Sequence, residues 1–284
     1  MDVRKADFAG SWYPAESKAC EREIQKFLGE GKHTALLGSE FVGGIVPHAG
    51  WYYSGSIACN VIHTLSRGEA PEVIMVFGMH LHPNSDLYIM ADGAWETPFG
   101  AIEIHRELAE RLLERFDFQV ETGRHHHPDN TIELQLPFIK YLFPDVKIVP
   151  IGAPPTATSL EVGRTVAEIA SELGLRIKVI GSTDLTHYGS NYGFTSHGDG
   201  PSAVDWVKNS NDSRIIETML AMDPVKVIDE ALTNQNACCA GAAATAIAAA
   251  GRLGAQRAQT VVYATSYDKR PADSFVGYVG IVFD

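Results

Sequence analysis

Four short apolar runs alternate along this chain with segments of helical spacing, and three of the four end by delivering a histidine. Residues 41–46 (FVGGIV) run into Pro47 and His48 on a glycine-containing turn. Residues 72–77 (EVIMVF) stop at Gly78 and present His80 and His82. Residues 177–181 (IKVIG) lead into Ser182, Thr183 and Asp184, and then to His187. The fourth run, residues 147–152 (KIVPIG), carries no such group. Continuous apolar runs of this length suit strands covered on both faces. Between and after them, residues 15–29, 54–66, 106–116, 159–173, 214–222, 224–232 and 236–251 read as helices, and residues 86–91, 259–266 and 275–283 as further strands. A helix is also expected from about Thr131, capped by Asp129 or Asn130, with Glu133 in the capping-box position and a kink at Pro137. The alternation predicts an α/β layered fold with a central, mostly parallel or mixed sheet flanked by helices. No low-complexity linker divides the chain, so one domain over residues 1–284 is expected. Functional groups of open α/β sheets lie beyond the carboxyl ends of the strands, where His48, His80 or His82, Asp184 and His187 all fall.

Composition narrows the partners. A formal net charge of −12 disfavours nucleic acid and anionic membrane surfaces, which would repel the chain. No apolar run is long enough for a membrane span, and the alanine-rich stretch 237–250 is a weak driver of insertion. The charged opening residues 1–9 do not read as a signal peptide. The four cysteines, Cys20, Cys59, Cys238 and Cys239, form no disulfide framework, so a reducing, cytoplasmic setting is expected. A small-molecule substrate is the expected partner, a protein or peptide is a second candidate, and a homo-oligomer is compatible with everything above.

Histidines converging from separate strand ends are raw material for a transition-metal site. A carboxylate as third ligand would give the facial triad of non-haem Fe(II) oxygenases, and a thiolate would favour copper or zinc. Cys238 and Cys239 fall in the first turn of the expected helix 236–251, where free N–H groups favour a thiolate, so one of them is a candidate ligand or redox thiol. Trp51, Tyr52 and Tyr53 follow His48 and are placed to wall a pocket. The sequence lacks GxGxxG after a strand, a Walker loop, HExxH, GxSxG and CxxC, which removes the common dinucleotide, phosphate and serine-hydrolase templates.

The order of motifs resembles the Memo family, also called AmmeMemoRadiSam system protein B, which is similar in fold to the class III extradiol dioxygenases of the LigB type. The resemblance rests on SWYP near the start, IVPHAGWYYSG, FGMHLH, TPFGAIEI, DNTIELQLPF, STDLTHYG, the Asn236-x-Cys-Cys helix start and the closing FVGYVGIVF. It implies a metal pocket whose ligands are His48, His80 or His82, and Cys239, with Asp184 and His187 at the same pocket and His187 as acid/base. It implies a dioxygenase-like oxidoreductase acting on a small phenolic or related substrate, with Fe(II) favoured and copper or zinc as the other candidate ions. A peptide-binding module reusing the pocket, and a hydrolase using a metal-bound water, are the competing functions. Tyr188 of the HYG motif would join Trp51 and Tyr52 at the substrate. The family has G-P-x-H after the second strand where this chain has Gly78-Met79-His80-Leu81-His82, and a Glu-His pair where it has Asp129-Asn130. Asn130 would then face the substrate, with His126 or His127 supplying the missing imidazole.

Overall fold

The computed structural model describes residues 2–30, 36 and 40–284. Among the described residues twelve strands follow in chain order: β1 (Val3–Arg4), β2 (Gly43–Val46), β3 (Val73–Gly78), β4 (Leu87–Met90), β5 (Ala94–Trp95), β6 (Ile102–Glu103), β7 (Phe118–Glu121), β8 (Lys147–Gly152), β9 (Ile177–Ser182), β10 (His187–Tyr188), β11 (Ala258–Thr265) and β12 (Phe275–Phe283). Nine of them form one mixed sheet in the order β10-β12-β2-β9-β3-β8-β4-β7, with β11 also paired to β12; β1, β5 and β6 make a small second sheet. At the centre, β2, β9, β3 and β8 are parallel, and β12 closes antiparallel against β2.

Alternate side chains of the central strands go to opposite faces, as a pleated strand requires. Val73, Met75, Phe77 and Val179 join the core beneath helices Ala157–Glu172 and Ala240–Arg252. Ile74, Val76 and Ile180 join the core beneath helices Ser17–Gly29, Trp51–Leu65 and Leu136–Leu142. The alanine-rich helix is small-sided because it packs very close. A Cβ on Gly181 of β9 would lie 2.8 Å from the carbonyl oxygen of Ala242, and one on Gly163 would lie 2.4 Å from that of Thr245. Among the described residues no helix is long and apolar enough to cross a membrane.

Three local expectations change. The segment after Asp129 forms two short helices, Asn130–Glu133 and Leu136–Leu142, with Pro137 in the first turn of the second. Asp129 caps the first through the Thr131 N–H (2.9 Å), but Glu133 closes no capping box. It is fully buried and accepts the backbone N–H groups of Asp7 (2.9 Å) and Phe8 (2.8 Å) and the Tyr13 hydroxyl (2.9 Å). Finally, the alanine-rich helix starts at Ala240, so Cys239 is its N-cap and Cys238 precedes it; neither lies in the first turn.

Candidate metal centre

Because β9 lies between β2 and β3, the carboxyl ends of these neighbours bring His48, Asp184 and His80 to one edge of the sheet. Each turn is pinned. After β2, Pro47 O accepts Gln135 Nε2 (3.0 Å), His48 O accepts Asn130 Nδ2 (2.8 Å), and the His48 N–H donates to Asp184 Oδ1 (2.7 Å). After β3, Met79 adopts φ 71°, a left-handed conformation uncommon outside glycine. Its N–H donates to Thr131 Oγ1 (2.7 Å), and the next N–H, of His80, donates to Asp129 Oδ2 (3.2 Å). This tight reversal is how a chain lacking the G-P-x-H spacing still turns a histidine inward.

The result is a cluster in which one ligand atom from each of His48, His80, Cys238 and Cys239 lies within 4.8 Å of the others. Cys238 Sγ is 3.2 Å from His48 Nε2 and 3.8 Å from Cys239 Sγ. The outer nitrogens of the imidazoles are already engaged. Ser182 Oγ donates its hydrogen to Thr131 O (2.7 Å), so it can only accept from His48 Nδ1–H (3.0 Å). Asp129 Oδ2 accepts from His80 Nδ1 (3.1 Å). In the neutral rings Nε2 therefore carries the lone pair, which is how outer partners orient metal-binding histidines. His187 is held the same way, with Nδ1 donating to Leu185 O (3.1 Å).

Electrostatics follow from crowding. Burial opposes ionisation of Cys238, but the Cys239 thiol and the His48 and His80 imidazoles outweigh it and hold Cys238 well below the usual thiol range. Burial and the adjacent Cys238 sulfur push Cys239 well above it. Burial would lower His80, yet Asp129 and Cys238 raise it to about 10. His48 is also raised, by Asp184 and Cys238 against burial. Burial raises Asp184 against the pull of His48. Two imidazoles whose inner nitrogens face a thiolate fit a transition-metal ion, which takes the place of their inner protons, and these four residues could hold one.

A cavity of about 670 Å³ opens beside the cluster, lined by His48, His80, Asn130, Asp184 and His187 among others. Trp12, Tyr52, Tyr53, Tyr192 and Tyr278 form its aromatic walls. Tyr52 and Asn130 line this cavity, and several other candidates are elsewhere. His82 is exposed outside the cluster, its N–H bonded to Ser85 Oγ (3.0 Å) in a turn. Trp51 turns into the core, stacked on Phe138 at 4.1 Å with its Nε1 donating to Leu134 O. Tyr188 is fully buried, donating to Gly198 O (2.9 Å) and accepting the His197 N–H (2.7 Å). His126 bonds Asp7 (3.1 Å) and His127 bonds Glu121 (3.3 Å), away from the cavity. The sequence marks Asp129 only as a helix cap, Thr131 only as a helix start and Ser182 only as the residue after a strand, and Trp12 and Tyr192 come from turn-rich segments without periodicity.

The loop that carries Asp184 and His187 is fastened from behind. Asp212 Oδ1 accepts the Thr186 N–H (3.1 Å) and hydroxyl, and Oδ2 accepts the Tyr263 hydroxyl (2.7 Å). A π-helical turn, Val207–Asn211, places Asn211 beside it, where Asn211 Nδ2 donates to Thr186 Oγ1 (3.0 Å). Burial, opposed by the Thr186 and Tyr263 hydrogen bonds, raises the Asp212 carboxyl from 3.8 to about 6. A raised acid favours the folded state fully below its unfolded pKa, and that contribution is lost as pH rises through the folded one. Asp212→Asn removes the titration. Urea unfolding of both proteins from pH 4 to 7 should therefore show wild type losing roughly 2 kcal/mol relative to the variant, and a pH-independent difference would contradict this.

Comparison with known proteins agrees on the family. The family described as Memo-like protein matches residues 4–282. The chain belongs to the Memo family. MEMO1 family proteins of Pyrococcus furiosus (99% of this chain, 98% of that one), Pyrobaculum aerophilum (100% and 99%) and Methanosarcina acetivorans (100% and 100%) are each 32% identical to it. Among solved structures, an uncharacterized protein of Escherichia coli K12 is similar over 80% of this chain and 92% of that one, with a TM-score of 0.52 and 14% identity. That likeness concerns the fold alone.

Proposed function

We propose that this Memo protein is a metal-dependent oxidoreductase, acting as a single domain on a small phenolic or related substrate in the 670 Å³ cavity. The observation that carries the reading is the convergence of His48, His80 and Cys238 from three separate segments, with the outer nitrogens of both imidazoles already bonded. Cys238, whose sulfur lies against His48 Nε2, is the assigned thiolate; Cys239 is the neighbouring thiol. Fe(II) is the ion that the dioxygenase likeness favours, and copper is the ion that a thiolate beside two imidazoles favours. Such an ion, when bound, supplies Lewis acidity and one-electron exchange with dioxygen.

The chain's own residues do the rest. His187, with Nδ1 tied to Leu185 O, has Nε2 free to take a proton from a substrate hydroxyl and return it. Asp184 fixes the His48 turn and places negative charge beside it. Tyr52, Tyr53, Tyr192 and Tyr278 give an aromatic ring faces to pack on and exclude water. Anaerobic Fe(II) or Cu loading followed by oxygen-uptake measurement on a catechol panel tests the activity. Uptake with a loaded protein supports it, and none with either ion on any substrate contradicts it. Ser182→Ala and Asp129→Ala should each weaken metal binding about 10–100-fold, the usual cost of an outer partner. Isothermal titration reads the difference, and unchanged affinity in both would remove the orienting role.

The cavity rim also favours recognition of a peptide, since Trp12 (41%), Tyr52 (65%) and Tyr192 (46%) remain exposed there. Equal binding of a peptide to metal-free wild type and to His48→Ala would support that reading over catalysis.

A further inference from the structure

We propose that Cys238 and Cys239 form a hydroperoxide-reactive dithiol that closes reversibly into a disulfide and thereby withdraws Cys238 from the cluster. The two sulfurs already stand 3.8 Å apart, whereas Cys20 and Cys59 are fully buried in the core with no cysteine beside them. Cys238 is partly exposed, and His48 Nε2 lies 3.2 Å from its sulfur. Cys239 is buried behind it at the helix N-cap, its N–H held by Thr183 Oγ1 (3.0 Å) and its carbonyl by the Ala243 N–H (3.2 Å). One cysteine is therefore partly exposed and the other is buried beside it.

In the first step the Cys238 sulfur attacks the distal oxygen of a hydroperoxide. The S–O bond forms, the O–O bond breaks, and the leaving alkoxide or hydroxide takes a proton to become an alcohol or water. Cys238 is now a sulfenic acid, oxidised by two electrons, and the hydroperoxide has been reduced by two. In the second step the Cys239 sulfur attacks Cys238 Sγ; the S–S bond forms, the S–O bond breaks, and the departing hydroxyl leaves as water with the Cys239 proton. Adjacent Cα atoms are about 3.8 Å apart, short of the roughly 4.4–6.8 Å that disulfides prefer. The product is strained and hence easily reduced by an external dithiol, as a labile disulfide should be.

The test uses full-length, reduced, metal-stripped protein, a small excess of hydrogen peroxide, and peptide mass mapping. The expected result is loss of two hydrogens in the peptide holding both cysteines, loss of both alkylation sites there, and recovery of both with dithiothreitol. Cys239→Ser should instead leave a Cys238 sulfenic acid that dimedone traps. Oxidation of Cys238 to sulfinic acid with Cys239 still alkylatable would overturn the proposal. So would dimedone capture at Cys239 in Cys238→Ser, or a Cys238 that never reacts. The withdrawal from a metal rests on the function proposed above, and a separate arm tests it by repeating the oxidation on metal-loaded protein. Protection supports withdrawal, whereas unhindered disulfide formation would leave the dithiol standing and remove Cys238 as a ligand.

Discussion

His48→Ala should weaken metal binding by at least roughly 100-fold, because loss of even an outer partner of a metal histidine costs about 10–100-fold. His48 is buried, its Nε2 lies against Cys238 Sγ, and Ser182 fixes its tautomer. No other imidazole can substitute, since among the described residues only His80 shares the cluster and His82 points to solvent. His82→Ala should accordingly leave affinity unchanged. Titration of both variants with a transition ion separates the assignments; retention by His48→Ala, or loss in His82→Ala, would contradict them.

The largest effect on stability is expected at Glu133. Its buried carboxylate serves three donors at once, the Asp7 and Phe8 N–H groups and the Tyr13 hydroxyl. Glu133→Ala leaves the buried Tyr13 hydroxyl without its acceptor and releases the partly exposed Asp7 and Phe8 N–H groups, and should cost roughly 2–4 kcal/mol, measured by urea unfolding. The damage also reaches the cavity. The same N-terminal loop carries Ser11 and Trp12, which line it, and Trp12 O accepts the Trp51 N–H (2.9 Å). Trp12 emission should shift to the red before global unfolding. Glu133→Gln keeps one acceptor oxygen and should cost less than half as much. Equal stability of wild type and the alanine variant would show that the loop is anchored elsewhere.

The residues made the central sheet legible because β3, β8, β9 and β12 are continuous apolar runs, and β8 and β12 have the bounds their sequence suggests. The two-residue strands β1, β5 and β10 carry too few positions to show a period. Strand-end logic found His48, His80, Asp184 and His187, since neighbouring parallel strands must bring their carboxyl ends together. It left His80 and His82 equal, because the left-handed turn at Met79 that turns the first of them inward has no signature in a non-glycine residue. Family spacing pointed to Cys239, and the cluster holds both cysteines, Cys238 with its sulfur against His48 Nε2 and Cys239 as the helix N-cap. Trp51 and Tyr188 were misplaced for one reason: aromatic residues beside a site serve equally as its wall or as the core behind it.

A metal held by His48, His80 and Cys238 is tested most directly by elemental analysis of protein purified without chelators, with X-ray absorption at the edge of whatever ion is found. One transition-metal ion per chain, with both imidazole and sulfur scattering in its shell, is the expected result. Metal-free protein that also takes up no iron, copper or zinc under reducing conditions would contradict it.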